Sequence, residues 1–348
     1  MNKETKLIKM PSIGQFNNTI RDIKHQTYYQ GQDENDEPIY DKNVKLPKVL
    51  FRGTTKIHGT NASVVYNGKT IWAQSKGNVI TPEKDNYGFA SFVENNKTEL
   101  LTYMQQLSNM LNAKEVIIYG EFAGKGIQKN VAISELPKTW YMFGIKYITK
   151  NEDEYRWVRD PEHYLLSNSK KKIKSIFDFK TWEILIDFED PKKAQTEIIK
   201  LVDQVDKECP VGKALGVDGH GEGIVWIGYL NDERHIFKTK GESHSATKVK
   251  TLKHIDNVKE EAKRELAEKV TPAWRLEQAY EQSMELGSGG IPDKNKTGVF
   301  LKWVNQDIIK EELDTIMDAG FEPKEIFRYV SQIAKTWLFE QLDKEDGL

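Results

Sequence analysis

The residue best suited to covalent chemistry in this chain is Lys56, which follows a strand-like run and precedes a glycine turn. The six residues from Lys56 to Asn61 read K-I-H-G-T-N. A lysine becomes a nucleophile only when its amine is neutral, and nearby cations or a bound metal ion favour that neutral form. A tight glycine turn also lets the backbone approach a nucleotide closely. Taken alone, however, such a lysine is usually an ordinary surface charge.

A second candidate is Glu121, which ends a buried strand-like run beside several glycines. Residues 120–130 read G-E-F-A-G-K-G-I-Q-K-N. Glycine-rich turns often cradle phosphates, but this stretch lacks the spacing and the Ser or Thr of a P-loop. The carboxylate of Glu121 is better suited to accepting hydrogen bonds from ribose hydroxyls.

A third group combines one carboxylate with two cations. Glu222 stands at the start of one strand-like run, and Lys238 and Lys240 end its predicted hairpin partner. Residues two apart on a strand point to the same face. Two cations beside a carboxylate suit a phosphate together with a divalent metal ion. In isolation, an alternating basic strand is more often a solvated face.

Strands and hairpins must position these residues. The predicted strands are 62–66 and 71–74 around Asn67-Gly68, then 116–122, 140–148, and 223–230 paired with 234–240. Asn-Gly favours a two-residue hairpin turn in which both central residues have positive φ. Helices are predicted at 97–112 and 191–207, whereas residues 1–47 are predicted to be polar and irregular.

After about residue 250 the strand patterns stop, and the tail is predicted to be helical. Apolar residues recur there at helical spacing in three segments. These faces comprise Leu276, Ala279, Tyr280 and Met284; Leu301, Val304, Ile308 and Leu313; and Ile326, Val330, Ile333, Trp337 and Leu342. A glycine-rich loop is predicted at 287–298. The pattern therefore indicates a mixed α/β domain at 1–250 and a small helical domain at 251–348.

Composition excludes several classes of protein. Hydrophobic residues make up 38% and charged residues 30% of the chain, which is typical of globular rather than disordered proteins. No apolar run approaches the roughly 18 residues that span a bilayer, and the N-terminus has no signal-peptide core. The single cysteine, Cys209, excludes an intrachain disulfide and indicates a reducing compartment. With a net charge of −2, any nucleic-acid contact requires a local basic patch.

Together, K-I-H-G-T-N, G-E-F-A-G, the E-G-x-V strand and K-T-K resemble, in order and rough spacing, the nucleotidyltransferase motifs of polynucleotide ligases. K-I-H-G-T-N, with its histidine and Thr-Asn, looks like the RNA ligase 2 family, which is found in phages and in RNA-editing ligases. DNA ligases and capping enzymes share the lysine but typically have Lys-x-Asp-Gly. The resemblance covers roughly residues 48–242 and does not extend to the helical tail.

The resemblance implies an α+β fold. An ATP-grasp-like nucleotidyltransferase (adenylyltransferase) domain of antiparallel sheets with helices would occupy 1–250, and a small all-helical C-terminal domain would occupy 251–348. It also implies an ATP-dependent RNA ligase that requires Mg²⁺ or Mn²⁺. Such an enzyme seals RNA with 3′-OH and 5′-phosphate ends through lysyl-AMP and adenylated-RNA intermediates. We expect a monomer without membrane contact, in the cytoplasm, or in the host cytoplasm if it is phage-encoded.

The resemblance also implies roles for individual residues. Lys56 would attack the α-phosphate of ATP, and Glu222 would bind the metal ion. The expected nucleotide-binding residues are Thr55, Ile57, Asn61, Lys76, Glu121, Phe143, Val225, Lys238 and Lys240. Glu121 would hold the ribose, while Phe143 and Val225 would cover the two faces of adenine. Lys238 and Lys240 would contact the α-phosphate. His58 is expected to be structural, since the mechanism needs no histidine base once the lysine is neutral.

Three positions depart from the family pattern. Thr55 stands where a glutamate usually precedes the nucleophile. The segment Gln74 to Gly77 stands where an arginine usually lies near the phosphate, and Lys76, displaced by one residue, is its expected substitute. Gly144 replaces the aspartate that often follows Phe143. These departures concern the recognition of RNA ends rather than adenylation.

Two other functions compete with an RNA-sealing enzyme. One is a related nucleotidyltransferase with another acceptor, such as a DNA nick or a cap, against which the histidine of K-I-H-G-T-N argues. The other is a nucleic-acid-binding protein with an inactive ligase fold. That would require a broken reactive set, yet the lysines and carboxylates described above are all present. The choice between nicked duplexes and single strands, like the biological pathway, is left open.

Overall fold

The computed structural model describes residues 5–34, 36–152, 154–241, 243, 259–286 and 297–346. The chain divides into two compact units, residues 1–243 and 244–348. The domain boundary predicted at residue 250 lies outside the described residues, as does most of the predicted loop at 287–298.

The first unit combines short helices with many strands. Its helices are α1 (Phe16–Tyr28), α2 (Phe89–Asn95), α3 (Lys97–Met110), α4 (Pro191–Lys207) and α5 (Pro210–Ala214). Its strands are β1 (Tyr29–Gln32), β2 (Pro38–Tyr40), β3 (Lys48–Thr55), β4 (Thr60–Tyr66), β5 (Ile71–Gln74), β6 (Val79–Ile80), β7 (Ala113–Ala123), β8 (Thr139–Thr149), β9 (Arg156–Trp157), β10 (Ile173–Ser175), β11 (Thr181–Asp187), β12 (Gly223–Leu230) and β13 (Glu233–Lys240).

Two larger sheets organise this unit. The seven-stranded sheet has the order β10-β8-β7-β4-β5-β6, with β9 paired to β8, and the four-stranded sheet has the order β11-β3-β12-β13. Apart from the parallel pair of β8 and β10, the strand pairs of both sheets are antiparallel. This confirms the predicted α+β class with antiparallel sheets.

Each sheet buries one face beneath helices. Leu100 and Met104 of α3 pack with Val116 and Trp140 of the seven-stranded sheet in one core. A separate core packs α1 and α4 against the four-stranded sheet, and it includes Phe16, Ile23, Ile198, Val202, Trp226 and Phe237. Because side chains alternate along a strand, the chemistry-bearing residues of both sheets lie on the other faces.

The two predicted hairpins are present, but their turns differ from expectation. Asn67-Gly68 begins a four-residue connection in which only Gly68 has a positive φ, of 88°. The Asn67 side chain instead accepts hydrogen bonds from the backbone of Lys69 and Thr70. The two-residue turn with positive φ at both positions occurs in the other hairpin, at Asn231 (49°) and Asp232 (64°).

The prediction that residues 1–47 are irregular was wrong. The helix α1 spans Phe16–Tyr28, and β1 pairs with β2 just after it. Its apolar positions are few, but Phe16, Ile20 and Ile23 recur at helical spacing and pack in the core on the four-stranded sheet. The helix is stabilised by packing on the four-stranded sheet, where the ring centroids of Phe16 and Phe237 lie 5.1 Å apart.

The second unit is helical in its described part, as predicted. Its helices are α6 (Lys259–Val270), α7 (Ala273–Leu286), α8 (Thr297–Asp318) and α9 (Pro323–Asp346). The predicted faces meet in one core, which includes Leu276, Ala279, Val304, Ile308, Ile326, Val330 and Leu342. Across the described parts of both units, no helix is both long and apolar enough to cross a membrane.

Candidate active site

Lys56 is fixed at the junction of two strands. It directly follows β3, and its backbone N–H donates to the carbonyl of Gly223 at 2.8 Å, which extends the pairing of β3 with β12. This pairing brings Lys56 beside Glu222, the residue just before β12. The Lys56 Nζ lies 2.6 Å from Oε2 of Glu222, although the two residues are 166 positions apart in the chain.

Glu222 is the centre of a cluster with more basic groups than carboxylates. Its side chain is only 3% exposed, yet it also lies 3.1 Å from Nδ1 of His58 and 3.4 Å from Nζ of Lys240. Burial alone would raise the pKa of Glu222, but these neighbours together hold it well below its usual value. The carboxylate is therefore charged at neutral pH and is shared by three basic side chains.

Two glycines make this close arrangement possible. Gly223 has a φ of 151°, and a Cβ there would lie 2.0 Å from the carbonyl oxygen of Thr239. A Cβ on Gly59 would lie 2.4 Å from the carbonyl oxygen of Phe122, so this glycine lets the turn after Lys56 rest on β7. The two positions bring β13 and β7 close to Lys56 and Glu222.

A second carboxylate, Glu121, lies on β7 opposite Asn61 of β4. Burial raises the pKa of Glu121 to about 7, and the charge of Glu222 adds to this effect. The charges of Lys56 and Lys76 act in the opposite direction. Glu121 therefore shares one electrostatic environment with the lysine–glutamate pair.

Phe143 lies at a bulge. The register of β7 and β8 shifts there, since Tyr119 is opposite Gly144 and Gly120 is opposite Met142. A bulge redirects a side chain from the regular alternation of a strand and is common next to active sites. Phe143 and Gly144 line a cavity of about 300 Å³ together with Thr54 of the other sheet.

The remaining predicted nucleotide-binding residues lie in other parts of the two sheets. Val225 lies opposite Thr54 on one side and Lys238 on the other, within the four-stranded sheet. Lys76 is exposed just after β5. The structure therefore brings Lys56 and Lys240 into contact with Glu222, while Phe143 lines the cavity described above.

The side chains on either side of Lys56 are buried. Ile57 packs in an apolar cluster with Ala123, Tyr141 and Val211, so its side chain is not open to a ligand. Thr55 is buried too, and its hydroxyl has no hydrogen-bond partner within the described residues. Neither side chain reaches Glu222 in the described contacts.

Three residues make contacts near this site that the sequence did not indicate. His58, which was expected to be structural rather than catalytic, contacts Glu222 through its ring. Met10 contacts Asn61 through its sulfur, and Gln74 binds the backbone of Ile8. The contact between Met10 and Asn61 joins positions 51 residues apart, and that between Ile8 and Gln74 joins positions 66 residues apart, so no local sequence pattern predicts them.

The described side chains of this site fit a divalent cation in only one way, with a single carboxylate as the protein ligand. Among the described residues, no group of three His, Cys, Asp or Glu side chains could hold a metal ion. Mg²⁺, however, is commonly held by one or two carboxylates together with water and substrate phosphates. Glu222, with its low pKa, can serve as that carboxylate, and the site is otherwise cationic.

Comparison with solved structures finds an RNA ligase of Naegleria gruberi. A structure of that ligase with PPi matches at 16% sequence identity and a TM-score of 0.43, and the match covers 68% of this chain and 57% of that chain. A structure of a mutant of the same ligase, with ATP and Mn, gives the same values. The matched part thus spans little more than half of the Naegleria protein, and the scores are too low to inform individual residues.

Comparison with protein families gives a clearer result. A family model described as RNA ligase matches residues 50–240. The match begins within β3 and ends with β13, so it includes Lys56, Glu121, Glu222 and Lys240. It covers more than half of the 348 residues. The chain therefore belongs to the RNA ligase family.

Proposed function

We propose that this protein is an ATP-dependent RNA ligase that joins 3′-OH and 5′-phosphate RNA ends, with Lys56 as the nucleophile. The observation that carries the proposal is the position of the Lys56 Nζ, 2.6 Å from the buried carboxylate of Glu222. An amine held at the end of a strand, beside further cations, is suited to attack a phosphorus atom whose oxygens those cations neutralise. In this proposal the first unit is the adenylyltransferase domain.

In the first step, the neutral amine of Lys56 attacks the α-phosphorus of ATP. A P–N bond forms, the bond to the bridging oxygen breaks, and pyrophosphate leaves. In this structure, Lys56 is ion-paired with Glu222. Attack therefore requires that Glu222 turn to another partner and that the amine lose its proton.

Glu222 is the residue that would hold a divalent metal ion in this site. Such an ion supplies positive charge to the triphosphate. With Glu222 engaged by such an ion, the Lys56 amine would no longer have this carboxylate as its counter-charge. Lys240 contacts the same carboxylate at 3.4 Å and is placed to bind phosphate oxygens when Glu222 moves away from it.

Two further displacements complete the reaction. An oxygen of the RNA 5′-phosphate attacks the lysyl-AMP phosphorus, the P–N bond breaks, and the amine of Lys56 is restored. The 3′-OH then attacks the 5′-phosphorus, and AMP leaves with the bonding electrons. Since each step exchanges groups on phosphorus in line, positioning and charge neutralisation supply most of the rate enhancement.

The adenosine part of the nucleotide would lie between the two sheets. Phe143, directed by the bulge in β8, would stack on one face of adenine, and Val225 would cover the other. Glu121 would accept hydrogen bonds from the ribose through a carboxyl oxygen. That oxygen is available when the group is charged, or when the protonated carboxyl turns it towards the ribose. Asn61, directly opposite Glu121, borders the same part of the nucleotide.

Intact-mass measurement after incubation with ATP and Mg²⁺ tests the proposal. We expect a gain of one AMP in the wild type and none in Lys56→Ala or Lys56→Arg. Lys114→Ala is the matched control, because Lys114 is also a partly buried lysine with a hydrogen bond, to the carbonyl of Glu152, but lies elsewhere. It should acquire AMP like the wild type. An adduct in folded Lys56→Ala would remove Lys56 from the central role.

A panel of acceptors identifies the substrate. Nicked duplexes and single strands with RNA or DNA at the 3′-OH end are offered to the adenylylated protein. We expect sealing when RNA supplies the 3′-OH end and little sealing with DNA there. Efficient sealing of all-DNA nicks would show a DNA-joining enzyme instead.

A further inference from the structure

A short segment near the start of the chain is fixed to the seven-stranded sheet at one end. The N–H of Ile8 donates to Oε1 of Gln74 at 3.0 Å, and its carbonyl accepts from Nε2 of Gln74 at 2.6 Å. The hydroxyl of Tyr119 also donates to this carbonyl, at 3.1 Å. Gln74 is 1% exposed. A buried amide that satisfies both backbone groups of one residue is a specific anchor.

The other end of the segment is fixed to the four-stranded sheet. The backbone N–H of Lys238 donates to the carbonyl of Gly14 at 3.0 Å, and Gly14 forms a parallel bridge with Phe237. Both partners belong to β13, the edge strand of that sheet. Residues 8–14, which we name the strap, therefore cross from one sheet to the other.

Between its anchors the strap contacts Asn61, one of the residues proposed to border the nucleotide. The sulfur of Met10 lies 3.4 Å from Nδ2 of Asn61, and Asn61 is opposite Glu121. Met10 also packs against the apolar cluster that Phe143 adjoins. A thioether is a weak acceptor, so Asn61 can exchange this contact for a better one.

We propose that the strap forms one wall of the nucleotide site, with Met10 against bound adenosine, and that Gln74 is the positioning residue that seats it. The inference rests on the proposed function, because it takes ATP as the ligand. Both polar groups of the Gln74 amide are used by the strap backbone, which fits a positioning role.

The first test compares variants of the full-length protein in lysyl-AMP formation. Gln74→Leu removes both hydrogen bonds to Ile8, and we expect the KM for ATP to rise about tenfold with a smaller change in kcat. Amide hydrogen exchange within the strap should become faster in this variant. Met10→Ala should also raise the KM, while the exchange of the strap stays as in the wild type.

A matched control separates positioning from general stability. Ser108→Ala removes another buried hydrogen bond, from Oγ to the carbonyl of Ala113 at 2.8 Å, which lies on α3 and away from the strap. It should leave the KM for ATP unchanged. A similar rise in KM for Ser108→Ala and Gln74→Leu would reduce Gln74 to a structural residue and overturn the proposal.

A binding measurement tests, independently of catalysis, whether the strap lies against bound ATP. ATP added to Lys56→Ala, which cannot form the adduct, should slow hydrogen exchange in the strap. Unchanged exchange with ATP bound would overturn the strap proposal even if the wild type forms lysyl-AMP. Absence of lysyl-AMP in the wild type would overturn the proposed function instead. If Gln74→Leu folds poorly, Met10→Ala and the ATP-dependent protection remain sufficient.

Discussion

Both units of this protein bury charged side chains, but they balance those charges differently. In the helical unit, Arg275 is 1% exposed and binds two carboxylates, Asp307 and Glu312, each at 3.0 Å. It also donates to the carbonyl of Val270, and its guanidinium lies over the ring of Trp274. In the first unit, one carboxylate, that of Glu222, is instead shared by several basic side chains.

The difference separates a structural cluster from a reactive one. Around Arg275, the described acceptors surround one guanidinium, which is satisfied without any ligand. Around Glu222, basic groups outnumber the acceptor, and the excess of positive charge is suited to a polyphosphate. The residue types are similar in both clusters, and the ratio of donors to acceptors distinguishes them.

The largest expected effect follows from removing the shared acceptor. Glu222→Gln should reduce lysyl-AMP formation by about a thousandfold or more, since the metal-binding charge is lost. Glu189→Gln is the control, because its carboxylate accepts from the backbone of Leu46 at 2.7 Å, outside the cluster. Intact-mass time courses with varied Mg²⁺ measure the effect. An unaltered rate and metal response in Glu222→Gln would contradict the assignment.

Removing the balanced cation should affect stability instead. Arg275→Met leaves two partly or fully buried carboxylates without their cation, so the helical unit should lose about 3–5 kcal/mol of stability. Hydrogen exchange of amides in α7 and α8 measures this loss. Arg264→Met, at an exposed arginine of α6, should cost much less. Equal losses in the two variants would show that burial of Arg275 has no special energetic role.

The raised pKa of Glu121 predicts a pH-dependent stability. Because burial raises its pKa from 4.5 to about 7, the folded protein favours the protonated carboxyl. Stability from this group is complete below pH 4.5 and is lost as the pH rises to about 7. Glu121→Gln should remove this loss, which amounts to roughly 3 kcal/mol between these limits.

Hydrogen exchange in β7, compared between wild type and Glu121→Gln at each pH, tests this expectation. The comparison at equal pH cancels the intrinsic pH dependence of exchange. The stability difference between the variant and the wild type should grow in favour of the variant as the pH rises from 4.5 to 7. A constant difference over this range would show that Glu121 is not held in an environment that disfavours its charge.

The smallest expected effect concerns adenine. Phe143→Ala should weaken ATP binding by about 1–3 kcal/mol if the ring stacks on the base. Calorimetric titration of ATP into Phe143→Ala in a Lys56→Ala background measures the change without the reaction. Phe179→Ala is the comparison, since that ring packs on Tyr141 at 6.3 Å between centroids. Equal ATP affinity with and without Phe143 would leave it as a core residue.

Local patterns in the chain were sufficient for most secondary structure. The helix predicted at 97–112 is α3, and the one predicted at 191–207 is α4 with the same bounds. Strands predicted at 116–122 and 140–148 are the middle parts of β7 and β8. The two strands are continuous apolar runs that are mostly buried on both faces, and the two helices have apolar residues at helical spacing.

Elements that depend on distant partners were beyond local reasoning. The helix α1 has few apolar positions and is stabilised by its contact with β13, more than 200 residues away. Asn67-Gly68 suggested a tighter turn than the one formed, because the side chain of Asn67 caps a longer loop. In both cases tertiary or side-chain contacts outweigh local preference.

For the candidate site, the motifs indicated the type of chemistry but not which side chains are in contact. The order and spacing of the motifs, through their resemblance to those of polynucleotide ligases, singled out Lys56, Glu121, Glu222 and Lys240 as candidates. Contact between Lys56 and Glu222 required the antiparallel register of β3 with β12, which brings together residues 166 positions apart. The shared carboxylate, the place of His58 beside it and the seat of the strap on Gln74 all depend on such long-range pairing. Register is set by the packing of whole faces, so only the folded chain decides which charges meet.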